Sequence, residues 1–496
     1  MFQSYESTRS SNLKTTASKA VLKGIADDGG LYVMRDLEHK NINIEKLKDK
    51  SYMEMAEIIL NEMLDDFPEE KIRECISKAY TDKFSTDEVT PVVKVGDSYI
   101  TELFHGPTSA FKDVALSILP HLMTASYEMN DIKGKVIILA ATSGDTGKAA
   151  LEGFRDVKGT KIAVFYPDGG VSQVQKAQMV TQEGNNTFVC AIKGNFDDAQ
   201  TGVKKIFTDE KLINELRENN KIFSSANSIN IGRLIPQIVY YFYSYIKLVE
   251  NGAVKMGDKV NFSVPTGNFG NILAGYYAKM LGLPVNMLIC ASNENNVLYD
   301  FINTGVYDRN RKFYRTISPS MDILVSSNLE RLLYYMSGKN IDEVKSLMEQ
   351  LNSSGKYEIS HDMKKKINSE FYAGCVFMEE TEKTIKETFE KYGYLLDTHT
   401  AVAYKTLEEY KRQTGDNAVS VVLSTASPYK FSRSVYESLY GEKDGDEFEI
   451  MDELSERTGV PIPVNLKGLN KKPVIHTTVC ETNEMGNYVR KIGGIK

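Results

Sequence analysis

The chain has 496 residues, too long for one simple domain, so two or three are expected. It is 42% hydrophobic and 26% charged, with a net charge of −7 and no basic stripe; this balance suits a globular protein and speaks against a nucleic-acid partner. Its five cysteines are widely spaced and form no Cys-x-x-Cys pair, which argues against a disulfide framework or a zinc site and suits a reducing cytoplasm.

The first residues, Met1 to Arg9, show no apolar signal core and no transit-peptide pattern. The first ninety or so residues read as mostly helical. Tyr52 to Leu64 carries apolar residues at helical spacing, and Pro68-Glu69-Glu70 opens a further helix with proline at its first turn. From about residue 95 strands and helices alternate. Lys135 to Ala141 is a short apolar run, the pattern of a strand buried on both faces; it ends in Thr142-Ser143-Gly144-Asp145-Thr146-Gly147 and leads into a helix. Lys161 to Pro167, Lys259 to Val264, Val285 to Ala291 and Val419 to Ser424 are predicted as further strands, with Cys290 a buried core thiol. The apolar stretch Leu234 to Ile246 is broken by Pro236, Gln237 and Ser244 and is too short to span a bilayer, so no membrane segment is expected. Residues 305–395 read as helical and charged, with Asn328 to Tyr335 and Asp342 to Leu351 as examples. Lys364-Lys365-Lys366 reads as a solvated helix face. The last sixty or so residues read as irregular surface structure. The expected fold is therefore α/β: open, largely parallel sheets flanked by helices, with ligands at the carboxyl ends of the strands.

Two segments carry the chemistry. In Pro265-Thr266-Gly267-Asn268-Phe269-Gly270-Asn271, glycines allow close backbone approach and the loop feeds a helix N-terminus, where free N–H groups favour an anion. The loop is either a phosphate cup or a ligand-free strand-to-helix turn. It is not a dinucleotide fingerprint, because Pro265 stands where the first glycine is needed. Lys112 lies in Phe104-His105-Gly106-Pro107-Thr108-Ser109-Ala110-Phe111-Lys112-Asp113, before an apolar helix. It is either a solvated surface charge or a lysine whose ionisation desolvation lowers toward a reactive amine. A lysine able to form a Schiff base and a loop able to hold a phosphate are together what pyridoxal phosphate requires.

Ser143-Gly144-Asp145-Thr146-Gly147-Lys148 is similar to the tail of a P-loop, but Thr142 and Ala149 break that pattern; a hydroxyl-rich helix start that receives a carboxylate, or simple capping, fits better. Asn227 and Ser228, in Ser225-Ala226-Asn227-Ser228-Ile229-Asn230, either cap the next helix or bind an amino acid. Arg233 either holds an anion or forms a structural ion pair. Thr425, at a strand end, is placed to reach a ligand ring nitrogen. His105 is a site residue or a satisfied turn histidine.

These motifs, with Tyr5-x-Ser7-Thr8-Arg9, Tyr166-Pro167-x-Gly169-Gly170-Val171-Ser172 and Ser424-Thr425-Ala426, occur in the order in which the threonine synthase family has them, and the chain resembles the longer class of that family over nearly its full length. The resemblance implies the tryptophan synthase β-like fold (pyridoxal-phosphate fold type II), divided into 1–90, a two-lobed catalytic region 91–430, and an extension 431–496. It implies pyridoxal 5'-phosphate bound through Lys112, with its phosphate on Gly267, Asn268, Phe269, Gly270 and Asn271 and its ring nitrogen facing Thr425. The implied reaction converts O-phospho-L-homoserine and water to L-threonine and phosphate, in a cytoplasmic monomer or homodimer without a metal. Lys148 and Arg233 are the cations expected near the leaving phosphate; His105, Ser143, Thr146, Asn227 and Ser228 are the other candidates for binding substrate. Asp145 stands where many relatives of this fold carry asparagine near the cofactor's 3′-oxygen. An acid there would repel a phenolate unless one of the two is protonated. A serine or threonine dehydratase, or a cysteine-synthase-like lyase, is the rival on the same scaffold. A cofactor-binding regulatory protein and a nucleotide-dependent kinase are more distant alternatives.

Overall fold

The computed structural model describes residues 3–132, 134–142, 144–169 and 171–495. Two parallel sheets organise the catalytic region. The first has six strands in the order Phe371–Cys375, Val285–Ser292, Val260–Pro265, Ser420–Ser424, Ser98–Glu102 and Val92–Val95; only the last pair is antiparallel. The second has five, all parallel, in the order Thr478–Glu481, Thr187–Lys193, Thr160–Pro167, Lys135–Ala141 and Lys221–Ser225. Every internal strand predicted from its apolar run is present within a residue or two. The loops that follow Ala141, Ser225, Pro265 and Ser424 all lie at carboxyl ends and line one cleft of about 2690 Å³.

The helix Ile231–Glu250 is the central support. Seventeen of its 20 residues are buried, so the tyrosines at 240 and 241 must find partners for their hydroxyls inside the protein. Both find Asn271: Tyr240 Oη donates to its Oδ1 at 2.6 Å, and Tyr241 Oη to the same oxygen at 3.0 Å and to the Asn271 carbonyl at 2.8 Å. A core helix thereby sets the side chain of a loop residue.

Two segments differ from expectation. The N-terminal part is helical at Ala17–Lys23, Tyr52–Met63 and Glu69–Tyr80, but it also contains a three-stranded antiparallel sheet of Tyr5–Ser7, Ser10–Thr15 and Tyr32–Met34. The two three-residue strands hold too few residues to display an alternating pattern, and Ser10–Thr15 is largely polar with a single buried residue. The last sixty residues are not irregular: Ser432–Tyr440, Glu447–Thr458 and Met485–Gly493 are helices, and Thr478–Glu481 forms the edge of the five-stranded sheet. Only Cys480 of that strand is buried, so its sequence carries no apolar signal.

The Ser7-Thr8-Arg9 motif has a structural explanation. Thr8 Oγ1 donates to Glu330 Oε1 at 2.5 Å, and the Arg9 guanidinium grips both oxygens of Glu330 at 2.8 and 2.7 Å. The next residue, Arg331, is fully buried without a carboxylate. Its guanidinium donates to Tyr32 O at 2.9 Å, Asn328 Oδ1 at 2.5 Å and Ile229 O at 2.5 Å. The N-terminal part is thus bolted to the segments that shape the cleft.

Candidate active site

The turn before Lys112 folds back on the helix it opens. Asp113 accepts from Thr108 N at 2.8 Å and from Thr108 Oγ1 at 2.5 Å. Gly106 packs so closely on Asp113 that a Cβ there would lie 2.4 Å from the Asp113 Cβ. Phe111 N donates to the Thr425 carbonyl at 2.8 Å, and Ala110 bridges to Ala426. These bonds place Lys112, the first residue of the helix Lys112–Leu116, beside Thr425 at the head of its strand.

The Lys112 ammonium is buried. Nζ donates to Ser320 Oγ at 3.3 Å, lies 3.7 Å from Asp145 Oδ2, and sits 5.0 Å from the Phe111 ring centre. Burial pushes its ionisation down to about 8; the Asp145 carboxylate opposes this, while Lys430 and Arg233 add to it.

Asp145 begins the helix Asp145–Phe154. Thr142, not Asp145 or Thr146, caps that helix: its Oγ1 accepts from Gly144 N and Gly147 N, each at 2.9 Å. Ser143 itself lies outside the described residues. The cap leaves the Asp145 carboxylate free to pair with Lys430 Nζ at 2.8 Å and to accept from Gln175 Nε2 at 3.0 Å. Lys430 is completely buried and also donates to the Thr108 carbonyl at 2.9 Å. Burial raises the Asp145 carboxyl, but Lys430 and then Lys112 outweigh it and hold the group below the usual carboxylate range. An acid at this position therefore enters the site as half of a neutral pair, which removes the repulsion expected from Asp145 alone.

The glycine loop is clamped from outside. Ser326 Oγ donates to the Gly267 carbonyl at 2.7 Å, and Asn328 donates to the Asn268 carbonyl through its N at 3.1 Å and its Nδ2 at 2.9 Å. Gly267 is required by close approach: a Cβ would lie 2.5 Å from the Ser320 carbonyl oxygen. Phe269 adopts a left-handed conformation, φ 61°, immediately before the helix Gly270–Met280. Among the described residues the buried Asn271 amide Nδ2 has no partner, although its Oδ1 is pinned by two tyrosines. An unpaired buried donor costs roughly 1–3 kcal/mol, and here it stands at a helix N-terminus, so an anionic acceptor is what the site lacks.

Of the sequence-predicted residues, Lys112, Asp145, Thr146, Asn227, Ser228, Arg233, Gly267, Asn268, Phe269, Gly270, Asn271 and Thr425 line the one cleft. Two expectations are corrected. Lys148 is not a cleft cation: its Nζ is held by Glu152 Oε2 at 3.1 Å, one turn further along the helix, and by Gln182 Oε1. His105 is the satisfied turn histidine, its Nε2 2.7 Å from Glu102 Oε2. Lys430, Ser320 and His399 were not anticipated. Lys430 and Ser320 stand in segments with no local motif; His399 follows an N-cap aspartate, Asp397, a signal that explains capping and nothing more.

Three family models match the chain: one described as Threonine synthase N terminus over residues 4–80, one as Pyridoxal-phosphate dependent enzyme over 88–426, and one as Threonine synthase, C-terminal over 400–486. Threonine synthase of Saccharomyces cerevisiae is 37% identical over 469 residues, covering 88% of this chain and 90% of that protein. The chain belongs to the threonine synthase family. A crystal structure of pyridoxal-phosphate-bound threonine synthase from Brucella melitensis superposes with a TM-score of 0.87 at 37% identity, covering 99% of each chain; the yeast threonine synthase structure gives 0.88 at 33%. Threonine synthase-like 1 from Macaca fascicularis is 40% identical over 435 residues, and the match covers 85% of this chain and 58% of that longer protein.

Pyridoxal phosphate, the cofactor of this family of enzymes, fits the donors present. Lys112 is a desolvated amine that would link to it, the loop 267–271 with the Asn271 amide would hold its phosphate, and Thr425 offers a neutral hydroxyl from a strand end in the same cleft. With Lys112 titrating near 8, about a tenth of it is neutral at pH 7, roughly 300-fold more than for a lysine at its ordinary value of 10.5. The rate at which cofactor-stripped protein captures pyridoxal phosphate is therefore expected to rise about tenfold per pH unit below 8 and to level off above it. A rate that climbs steadily to pH 10 would show an unperturbed lysine.

Proposed function

We propose that the chain is a threonine synthase, converting O-phospho-L-homoserine and water to L-threonine and phosphate. One observation carries the choice of a phosphorylated substrate over an unphosphorylated one. Arg233 is buried, close enough to Lys112 to lower its ionisation, and pairs with no carboxylate among the described residues. Its Nη1 donates to the Ala226 carbonyl at 2.9 Å, its Nε has no partner, and burial alone pushes it down to about 10. With the loop 267–271 assigned to the cofactor's phosphate, this buried guanidinium, unpaired among the described residues, is the place for the substrate's phosphate.

When bound, pyridoxal phosphate supplies an electron sink for negative charge developing on the substrate carbons. The chain's own residues do the rest. Lys112, in its neutral form, is a buried amine able to take the proton from the substrate's Cα and to deliver protons as the double bond moves. Asp145 stays ionised through Lys430 and favours the ammonium form of Lys112 once a proton has been taken. Asn227, Ser228 and Thr146 offer amide and hydroxyl groups to the substrate's carboxylate. The leaving phosphate departs toward Arg233.

The test is incubation with O-phospho-L-homoserine, following phosphate and threonine together by NMR. Equal release of both supports the proposal; phosphate without threonine, or ready deamination of serine or threonine instead, moves the activity to a dehydratase or lyase. In Arg233→Met, KM for the phosphorylated substrate is expected to rise roughly 10–100-fold, the worth of one charge-assisted contact, with cofactor affinity unchanged. An unchanged KM removes Arg233 from the site.

A further inference from the structure

Lys112 has two polar neighbours, and one of them is uncharged. Ser320 lies in the short turn Pro319–Met321, and its three polar groups all point to the site's machinery. Its Oγ accepts from Lys112 Nζ at 3.3 Å. Its carbonyl oxygen is the atom against which Gly267 packs, 2.5 Å from where a Cβ would stand. Its N–H meets His399 Nε2 at 3.1 Å.

That last contact sets the state of the imidazole. A backbone N–H only donates, so His399 Nε2 accepts, and the ring proton lies on Nδ1, 2.9 Å from Asp397 Oδ1. Asp397 is fully committed: it also accepts from His399 N at 2.9 Å, from Thr400 N at 3.4 Å and from Thr400 Oγ1. Thr400 Oγ1 lies 3.0 Å from Ser424 Oγ, beside Thr425. The Phe431 ring, 4.8 Å away, closes the remaining side of His399, which is 2% exposed yet lines the cleft. The neutral imidazole is thus locked in one tautomer and one orientation, and what it holds in place is Ser320.

We infer that Ser320 is a further catalytic residue, the hydroxyl that aims the Lys112 amine, and that His399 with Asp397 is the positioning device that holds Ser320 there. A primary amine rotates freely about its Cε–Nζ bond, and a misdirected lone pair forfeits proton transfer. The Ser320 hydroxyl accepts an N–H while Lys112 is charged and donates to the lone pair while it is neutral; it serves both forms, the charged one more strongly because a charge-assisted bond is the stronger, so its loss shifts the titration downward. Asp145 serves only the charged form. A carboxylate in place of Ser320 would tip Lys112 toward the ammonium; a hydroxyl orients it without adding charge.

The inference rests on Lys112 being the cofactor lysine, but its main readout needs no substrate: the pH titration of the absorbance of lysine-bound cofactor in the holoenzyme. Asp145, Lys430, Arg233 and Asp113 also act on Lys112 and are kept in every variant. In Ser320→Ala the titration midpoint is expected to move by about half a pH unit or more, and kcat to fall about 10–100-fold with KM within about threefold. Ser320→Thr, which keeps the hydroxyl, restores both. His399→Gln shifts both in the same direction, and the double variant with Ser320→Ala is no worse than Ser320→Ala alone, because the two act through one contact. An unshifted titration in Ser320→Ala, no rescue by Ser320→Thr, or effects that multiply in the double variant overturn the inference. If His399→Gln does not fold, the two Ser320 variants decide by themselves, since neither touches the imidazole. If O-phospho-L-homoserine is not turned over, the absorbance titration still decides.

Discussion

Lys112→Ala is expected to abolish turnover, with kcat reduced by roughly 10⁴-fold or more, because one amine supplies both the covalent link to the cofactor and the proton transfers. The environment argues that neighbouring lysines do not replace this amine. Lys430, whose charge acts on Lys112, is completely buried and committed to Asp145 at 2.8 Å and to the Thr108 carbonyl at 2.9 Å. Lys148 is committed to Glu152 and Gln182. Phosphate and threonine release from O-phospho-L-homoserine, followed together by NMR, should both vanish, and borohydride should no longer fix pyridoxal phosphate to the chain. The fold should survive, since removing a buried cation next to Asp145 still leaves that carboxylate paired with Lys430. Turnover or fixation persisting in the alanine variant would place the cofactor on another lysine.

The second large effect concerns Lys430. Lys430→Met leaves Asp145, 3% exposed at its side chain, with Lys112 at 3.7 Å as its only cation among the described residues. Stranding one member of a buried pair costs about 3–5 kcal/mol, far more than an exposed pair is worth. The variant should therefore unfold at a markedly lower denaturant concentration. A second consequence follows from the same charge. Asp145, no longer shared with Lys430, acts on Lys112 alone and raises its ionisation, so cofactor capture at neutral pH slows. Lys430→Met combined with Asp145→Asn removes both charges and should recover most of the stability. Urea titrations without added cofactor, so that binding does not mask the loss, check the order wild type, double variant, single variant. A single variant as stable as the wild type, or a double variant no better than the single, would show that the pair is not coupled.

The fold was largely legible because its central strands are buried on both faces and so read as unbroken apolar runs, as in Lys135–Ala141 and Val285–Ser292. Short or half-buried strands escaped the same reading: Tyr5–Ser7 offers three residues, and Thr478–Glu481 turns three of its four to solvent. Within the site, Lys112 and the loop 267–271 were legible because each unites its chemistry with its backbone requirement in one short segment. Lys148 was misread because its partners lie outside the motif. It stands one turn after Asp145 on the same side of the helix, but Glu152, a further turn on, and Gln182, from another segment, hold its ammonium away from the cleft.

By itself, the sequence determined the alternation of strands and helices, the candidate lysine, the glycine loop and the family, because those depend on residues close together in the chain. Only the tertiary structure decided which charges and hydroxyls act on that lysine. Ser320 is 208 positions from Lys112, and Lys430 is brought to Asp145 from a separate strand end. The same structure separated Arg233, a buried cation with no acid beside it, from Lys148, a cation already satisfied. The reason is physical: the ionisation of a buried group is set by the few charges and donors within a few ångströms, and packing chooses those neighbours without regard to their order in the chain.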